Sequence, residues 1–209
     1  MAQPKLETVG DILFWSYANL AMAQAAVWQH ASVYQKPHFI IRSRLYRGLL
    51  KGTMNVGSIL DDERLKLRYH QSCAYCGTRQ NLSLDHLLPS AKGGPERGDN
   101  IVYSCRACNS SKGSTDLLEW WGKRGEFPPL LLLRRYFKVV IAWCTEHGVM
   151  DLAKENALAA DDTMPFSLER IPLDYPQPGE LRLWIISLDS TIEQAAVSAQ
   201  PSAAGGAEP

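Results

Sequence analysis

Four cysteines stand in two close pairs, Cys73-x2-Cys76 and Cys105-x2-Cys108, separated by 28 residues. Each pair can present two thiolates on one side of a tight turn, and two such pairs make the tetrahedral sulfur set that zinc takes. Gly77 follows the first pair, where a knuckle turn often needs a positive φ. Two unrelated reduced pairs, or a redox pair, are the alternatives, and a redox pair leaves the second CxxC without a purpose. Four protein ligands close the site to water, so the expected zinc is structural and not catalytic. The fifth cysteine, Cys144, falls in an apolar stretch and reads as a buried, inert thiol.

Between and after these pairs lie side chains of a second chemistry. Asp85 and His86 are adjacent, Asn100 follows, and Asn109 and Lys112 come directly after the last cysteine. A histidine neutral near pH 7 can act as a general base. An aspartate is a hard oxygen ligand for Mg²⁺ or a similar ion, and Asn109 offers a second oxygen. Lys112, three residues after Asn109, shares its side of a helix and can reach a phosphate. Taken singly, each has an ordinary role: a surface turn for Asp85-His86, a turn for Asn100, a helix cap for Asn109, a solvated charge for Lys112.

Short elements must position these groups. Leu82 and Leu84 alternate with polar residues, as in a half-buried strand. Gly93-Gly94 allows the chain to turn back, residues 101–103 supply a second strand, and a helix begins at about Ala107. The order is strand, loop, strand, helix, with the metal tying the hairpin to its flank. Consecutive side chains on a strand leave opposite faces, so Asp85 and His86 can share one site only where the strand ends or twists. Pro89 is consistent with such an end.

The succession Cys-x2-Cys, Asp-His, Pro, Gly-Gly, Asn, Cys-x2-Cys-Asn, Lys closely resembles the HNH endonuclease family, the ββα-metal nucleases. The resemblance covers about 45 residues, from Cys73 to about Asp116, and the flanks add nothing to it. The family's letters fall on His86, Asn100 and Asn109, the last an Asn where the name has His. The resemblance implies a DNA substrate cut to leave a 5′-phosphate and a 3′-hydroxyl. It makes Asn100 a structural residue that holds the loop bearing His86. The residue types suit the reaction. Hydrolysis of a phosphodiester needs a base for the attacking water, here His86, and positive charge near the phosphate. Asp85 and Asn109 are the expected ligands of Mg²⁺ or Mn²⁺. A zinc-stabilised nucleic-acid-binding module without cleavage is the alternative. A protein-interaction domain presenting residues 130–147 is a weaker third.

The flanks read as helical. Residues 8–30 carry Leu13, Phe14, Tyr17, Leu20, Ala21 and Ala25 at helical spacing, with Thr8 as a cap. Residues 39–50 form a second candidate helix bearing Arg42, Arg44 and Arg47, and residues 61–69 a third. Pro128-Pro129 precede an apolar helix over residues 130–147, with Gly148 as its C-terminal cap. Residues 181–186 suit a strand or a helix equally. Residues 198–209, mostly Ala, Gly, Ser and Pro, should be disordered.

The expected class is α+β, mostly helical, with a small zinc-bound ββα core between helical flanks. The expected divisions are 1–71, helical with a basic segment; 72–122, the nuclease core; 123–190, helical or mixed; and 191–209, a tail. The formal net charge is zero, but its distribution is not even. Residues 1–145 hold 19 Lys and Arg against 11 Asp and Glu, and residues 146–209 hold 3 against 11. The first part attracts nucleic acid and the second repels it. A 45% hydrophobic, 21% charged chain is ordinary for a globular protein. Its longest apolar run, residues 20–28, is broken by Gln24. With no basic segment ahead of an apolar stretch at the N-terminus, the expectation is a cytoplasmic protein.

Overall fold

The structure is a computed structural model and describes residues 3–57, 72–160 and 163–185. The candidate helix over residues 61–69 and the tail from residue 198 lie outside the described residues. The architecture is α+β: a set of helices around one two-stranded antiparallel sheet. In chain order the elements are α1 (Val9–Trp28), α2 (Lys36–Leu50), β1 (Leu82–His86), β2 (Ile101–Cys105), α3 (Arg106–Lys112), α4 (Leu117–Gly122), α5 (Leu130–Glu146) and α6 (Lys154–Ala159).

Thr8 starts α1 through a reciprocal cap: its hydroxyl accepts from Asp11 N at 3.1 Å, and Asp11 Oδ2 accepts from Thr8 N at 3.0 Å. This helix is buried on most of its circumference, polar residues included. Ser16 and Asn19 find their partners in a return segment, donating to the Pro172 and Leu173 carbonyls at 2.5 and 3.0 Å. Such bonds are what permit polar side chains inside a core. α2 begins three residues earlier than its apolar pattern indicates, because Pro37 suits a first turn and His38 Nδ1 accepts from Gln35 N at 3.0 Å.

α5 is the central support. Thirteen of its side chains are buried, Leu130, Leu133, Phe137, Val140 and Cys144 among them, so it is core and not a protein-docking surface. Pro129 precedes it, and its first N–H groups have no partner within the helix. Leu130 N and Leu131 N donate instead to the Arg182 and Leu183 carbonyls at 3.0 and 3.2 Å. Residues 181–185 are therefore neither strand nor helix, but an irregular segment that caps α5. Gly148 closes the helix with a φ of +66°. α4 and α6 are short helices that apolar periodicity did not reveal. One buried cluster runs through Leu13 and Leu20 of α1, Val140 of α5, and Tyr75, Leu87, Leu88, Val102 and Trp121 of the cysteine-rich segment. No helix among the described residues is long and apolar enough to cross a membrane.

Candidate active site and metal centre

The four cysteine sulfurs lie within 4.8 Å of one another. Zinc–sulfur bonds of about 2.3 Å at tetrahedral angles require sulfurs about 3.8 Å apart. The Cys76 and Cys105 sulfurs are separated by 3.7 Å. The turns that present them are built for this. Gly77 takes a φ of +80° and its N–H donates to the Cys73 carbonyl at 2.9 Å. Ala74 N donates to Tyr103 O at 2.8 Å, fastening the first pair to β2. Backbone N–H groups of Tyr75 and Cys108 face the Cys73 and Cys105 sulfurs at 3.4 and 3.5 Å. The Cys108 N–H brings the Cys105 thiol down to about 7, the direction that favours a thiolate ligand. Burial pushes the Cys76 and Cys108 thiols up, so all four sulfurs can be thiolates together only around a cation, and the donor set fits zinc. Cys144 is buried elsewhere in the core, and burial pushes its thiol up to about 12.

β1 pairs with β2 in regular antiparallel register, Leu84 opposite Tyr103, Asp85 opposite Val102 and His86 opposite Ile101. The regular pleat sends Asp85 and His86 to opposite faces. Asp85 is buried, with Tyr75 donating its hydroxyl to Oδ2 at 2.6 Å and Lys112 Nζ 3.5 Å away. Burial first, then the Asp85 charge, raises the Tyr75 phenol well above its usual value, so Tyr75 stays protonated and donates. His86 is more open, its side chain 28% exposed, with Nε2 3.0 Å from Glu96 Oε2.

The sequence gives Lys112 the reach to touch a phosphate; the structure buries it. Its ammonium is buried and donates to the His86 carbonyl at 2.7 Å, beside Asp85. A lysine one turn after Asn109 does face β1, but the strand itself covers it. Burial lowers its pKa, and Asp85 and Asp116 work against that shift. Asn109 stands on the same side as Asp85. Its Nδ2 donates to Ser83 Oγ at 3.1 Å and to Leu84 O at 3.0 Å, which turns its Oδ1 away from the strand. Both contacts to Asp85 fall on Oδ2, leaving Oδ1 for another ligand. Carboxylate and amide oxygens are donors of the kind an ion of the Mg²⁺ class takes.

Asn100 is fully buried and ties the loop between the strands into a closed unit. It accepts from Leu88 N at 2.8 Å and donates to the carbonyls of Leu88 and Pro95, both at 2.9 Å. α5 holds the same loop from outside. Trp143 Nε1 donates to Gly93 O at 3.1 Å, and Arg135 donates to the carbonyls of Gly98, Asp99 and Ile101 at 2.6–2.9 Å. Sequence reasoning missed Tyr75, Glu96, Arg135 and Trp143. Tyr75, between the first two cysteines, and Glu96, two residues after Gly93-Gly94, stood within the recognised pattern; Arg135 and Trp143 act across 34 to 50 residues of chain.

Among the arginines of α2, Arg42 turns inward, lying 4.6 Å from the Trp15 ring centre and donating to Asn19 Oδ1 at 3.0 Å. It is not available to a surface partner. Arg44 and Arg47 are exposed, as are Lys36 and Lys51 at the ends of the helix.

Residues 73–116 match the family described as HNH endonuclease. Over 57 residues the chain is 40% identical to the CRISPR-associated endonuclease Cas9 of Corynebacterium diphtheriae, a match taking in 25% of this chain and 5% of that protein. Over 79 residues it is 35% identical to the CRISPR-associated endonuclease Cas9 of Actinomyces naeslundii, taking in 36% of this chain and 7% of the relative. The chain thus spans less than a tenth of the length of these curated relatives. No solved structure matches it. Residues 73–116 are thus similar to HNH endonuclease domains, and they contain four cysteines placed to hold a metal ion.

Proposed function

We propose that the protein is a DNA endonuclease that hydrolyses phosphodiester bonds, with His86 as general base and a zinc held by Cys73, Cys76, Cys105 and Cys108 as structural support. The observation that carries this reading is the arrangement at the end of β1. The partly open His86 imidazole leaves one face of β1 and the buried Asp85 carboxylate leaves the other, while Asn109 of α3 bonds the Leu84 carbonyl just before them. His86 takes the proton of the attacking water as its oxygen bonds to phosphorus and the 3′ oxygen leaves. Asp85 and Asn109 would hold a Mg²⁺ or Mn²⁺ ion, which would supply positive charge for the phosphate and the leaving oxygen. Asn100 acts on geometry alone, closing the loop that follows His86. The exposed basic face of α2, with Lys36, Arg44, Arg47 and Lys51, supports contact with the DNA backbone.

The test is plasmid cleavage. Supercoiled DNA with Mg²⁺ or Mn²⁺ should be nicked or cut, and EDTA should stop it. His86→Ala should lose about 10²–10⁴-fold in rate while keeping fold and DNA binding. Asp85→Ala and Asn109→Ala should also lose activity, and more Mn²⁺ should restore part of it in these two alone. Cleavage by His86→Ala at the wild-type rate overturns the reading. The burial of Asp85 under Tyr75 and Lys112 favours a second reading, a zinc-stabilised nucleic-acid-binding protein without cleavage. That protein binds DNA with a steep dependence on salt and leaves it intact.

A further inference from the structure

Glu96 Oε2 lies 3.0 Å from His86 Nε2. Two surface side chains that merely meet form a weak pair, because solvent screens them and holding both costs entropy. The backbone that carries Glu96 decides whether this contact is of that kind, and it is held on several sides. Just before Glu96, the Pro95 carbonyl accepts from Asn100 Nδ2 at 2.9 Å. Just after it, the Arg97 carbonyl accepts from Asn100 N at 2.9 Å, and the Arg97 guanidinium lies 3.4 Å from Glu146 at the end of α5. Further back, Trp143 holds the Gly93 carbonyl. At Gly94 the chain crosses itself so closely that a Cβ would fall 2.2 Å from the Leu88 carbonyl oxygen. Only glycine allows that crossing.

The other partner is held equally. His86 closes the β1–β2 ladder opposite Ile101, and Lys112 binds its carbonyl. The side chains of Glu96 and His86 are exposed to different degrees, 70% and 28%, but both backbones are fixed to the same frame.

We propose that Glu96 is a positioning residue for His86: its carboxylate accepts the Nε2–H, selecting the tautomer in which Nδ1 carries the lone pair. This rests on the reading of His86 as the group that takes the proton from water. A neutral imidazole has one N–H and one lone pair, and either nitrogen can hold the proton. A ring without a partner divides its time between two tautomers and two orientations, and only one combination presents the lone pair to the water. A carboxylate on Nε2 removes the others. During the reaction the water proton moves to Nδ1, the Nε2–H stays on Glu96, and Glu96 itself takes no proton. The imidazolium so formed sits beside a negative charge that stabilises it. That same charge repels an approaching phosphate, so Glu96 assists turnover and not binding.

The experiment measures kcat and KM separately for the metal-loaded 209-residue chain, with a fluorescently labelled DNA duplex and Mn²⁺. Glu96→Ala should lower kcat about tenfold, a part of the effect of the base itself, with KM unchanged or lower. Glu96→Gln should recover most of that loss, since its amide oxygen accepts the same N–H. In a His86→Ala background, Glu96→Ala should have no further effect, because a positioning residue acts only through the group it positions. The proposal is overturned if Glu96→Ala turns over at the wild-type kcat while His86→Ala is inactive. It is also overturned if Gln and Ala are equally impaired, if only KM moves, or if the double variant is slower than His86→Ala alone. Wild-type turnover by His86→Ala places the fault in the reading of His86 itself, and the role of Glu96 falls with it.

Discussion

The Lys112 ammonium donates to the main-chain oxygen of His86 at 2.7 Å, from a side chain with no exposed surface. It joins α3 to the last residue of β1, and the Asp85 carboxylate 3.5 Å away partners its charge. Lys112→Met removes the cation and leaves a buried carboxylate and a carbonyl behind. Breaking a buried pair from one side typically costs about 3–5 kcal/mol. Chemical denaturation should show a loss of that order, with DNA cleavage lost in step with folding. A variant within about 1 kcal/mol of wild type, the range of a surface pair, would show that Lys112 is not the buried support described here.

The four-thiol site predicts one zinc per chain, retained through purification without added metal. Metal binding at such sites is part of the folding free energy. Cys76→Ser should therefore lose zinc and the β1–β2 hairpin together. Cys144→Ala should keep a full complement of zinc, since Cys144 lies apart from the other four. Elemental analysis and circular dichroism on both variants decide it; a folded, metal-free wild-type protein refutes the site.

The clamp from α5 makes a graded prediction. Trp143→Phe removes the bond to the Gly93 carbonyl and part of the ring packed against His147 and Phe166, a loss of about 1–2 kcal/mol. Arg135→Met removes the donors to three carbonyls, a loss of about 2–3 kcal/mol. Both should keep zinc. Amide hydrogen exchange should quicken over residues 93–101 in both variants, more in Arg135→Met. Unchanged exchange there would mean that Asn100 alone holds the loop.

Asp116 gives a pH dependence with a definite sign. It caps α4 with its side chain and accepts from Tyr136 OH at 2.7 Å, yet burial raises its carboxyl from 3.8 to about 6. The folded state therefore holds this proton more tightly than the unfolded state. Its contribution is fully present below pH 3.8 and is lost as pH rises through about 6. The difference is on the order of 3 kcal/mol. Asp116→Asn should lack this component, so the stability of wild type minus that of the variant should fall between about pH 4 and pH 6. Taking the difference removes the effect of acid on the four cysteines, which both proteins share. A difference flat across that interval rules out the shift.

The cysteine frame, the strand–loop–strand–helix order and the helices α1, α2 and α5 were legible in the sequence, because each depends on spacing along the chain. Two CxxC turns carry their own geometry, a period of two marks β1, and Thr8 and Gly148 mark helix ends through local backbone chemistry. The family resemblance of residues 73–116 is legible for the same reason, since its residues recur at short, fixed intervals. Tertiary structure alone decided what each polar group faces. Asp85 and His86 are neighbours in sequence, but the unbroken register with Val102 and Ile101 sends one to Tyr75 and Lys112 and the other to Glu96. Lys112 looked like a surface charge until β1 covered it. Residues 181–185 had no preferred periodicity because their partners are the first N–H groups of α5, some fifty residues earlier. Arg135 and Trp143 sit in a helix whose apolar pattern marks it only as core. That they hold the loop beside His86 follows from where the helix docks, and docking is set by the fit of whole surfaces, which no spacing along one strand or helix records.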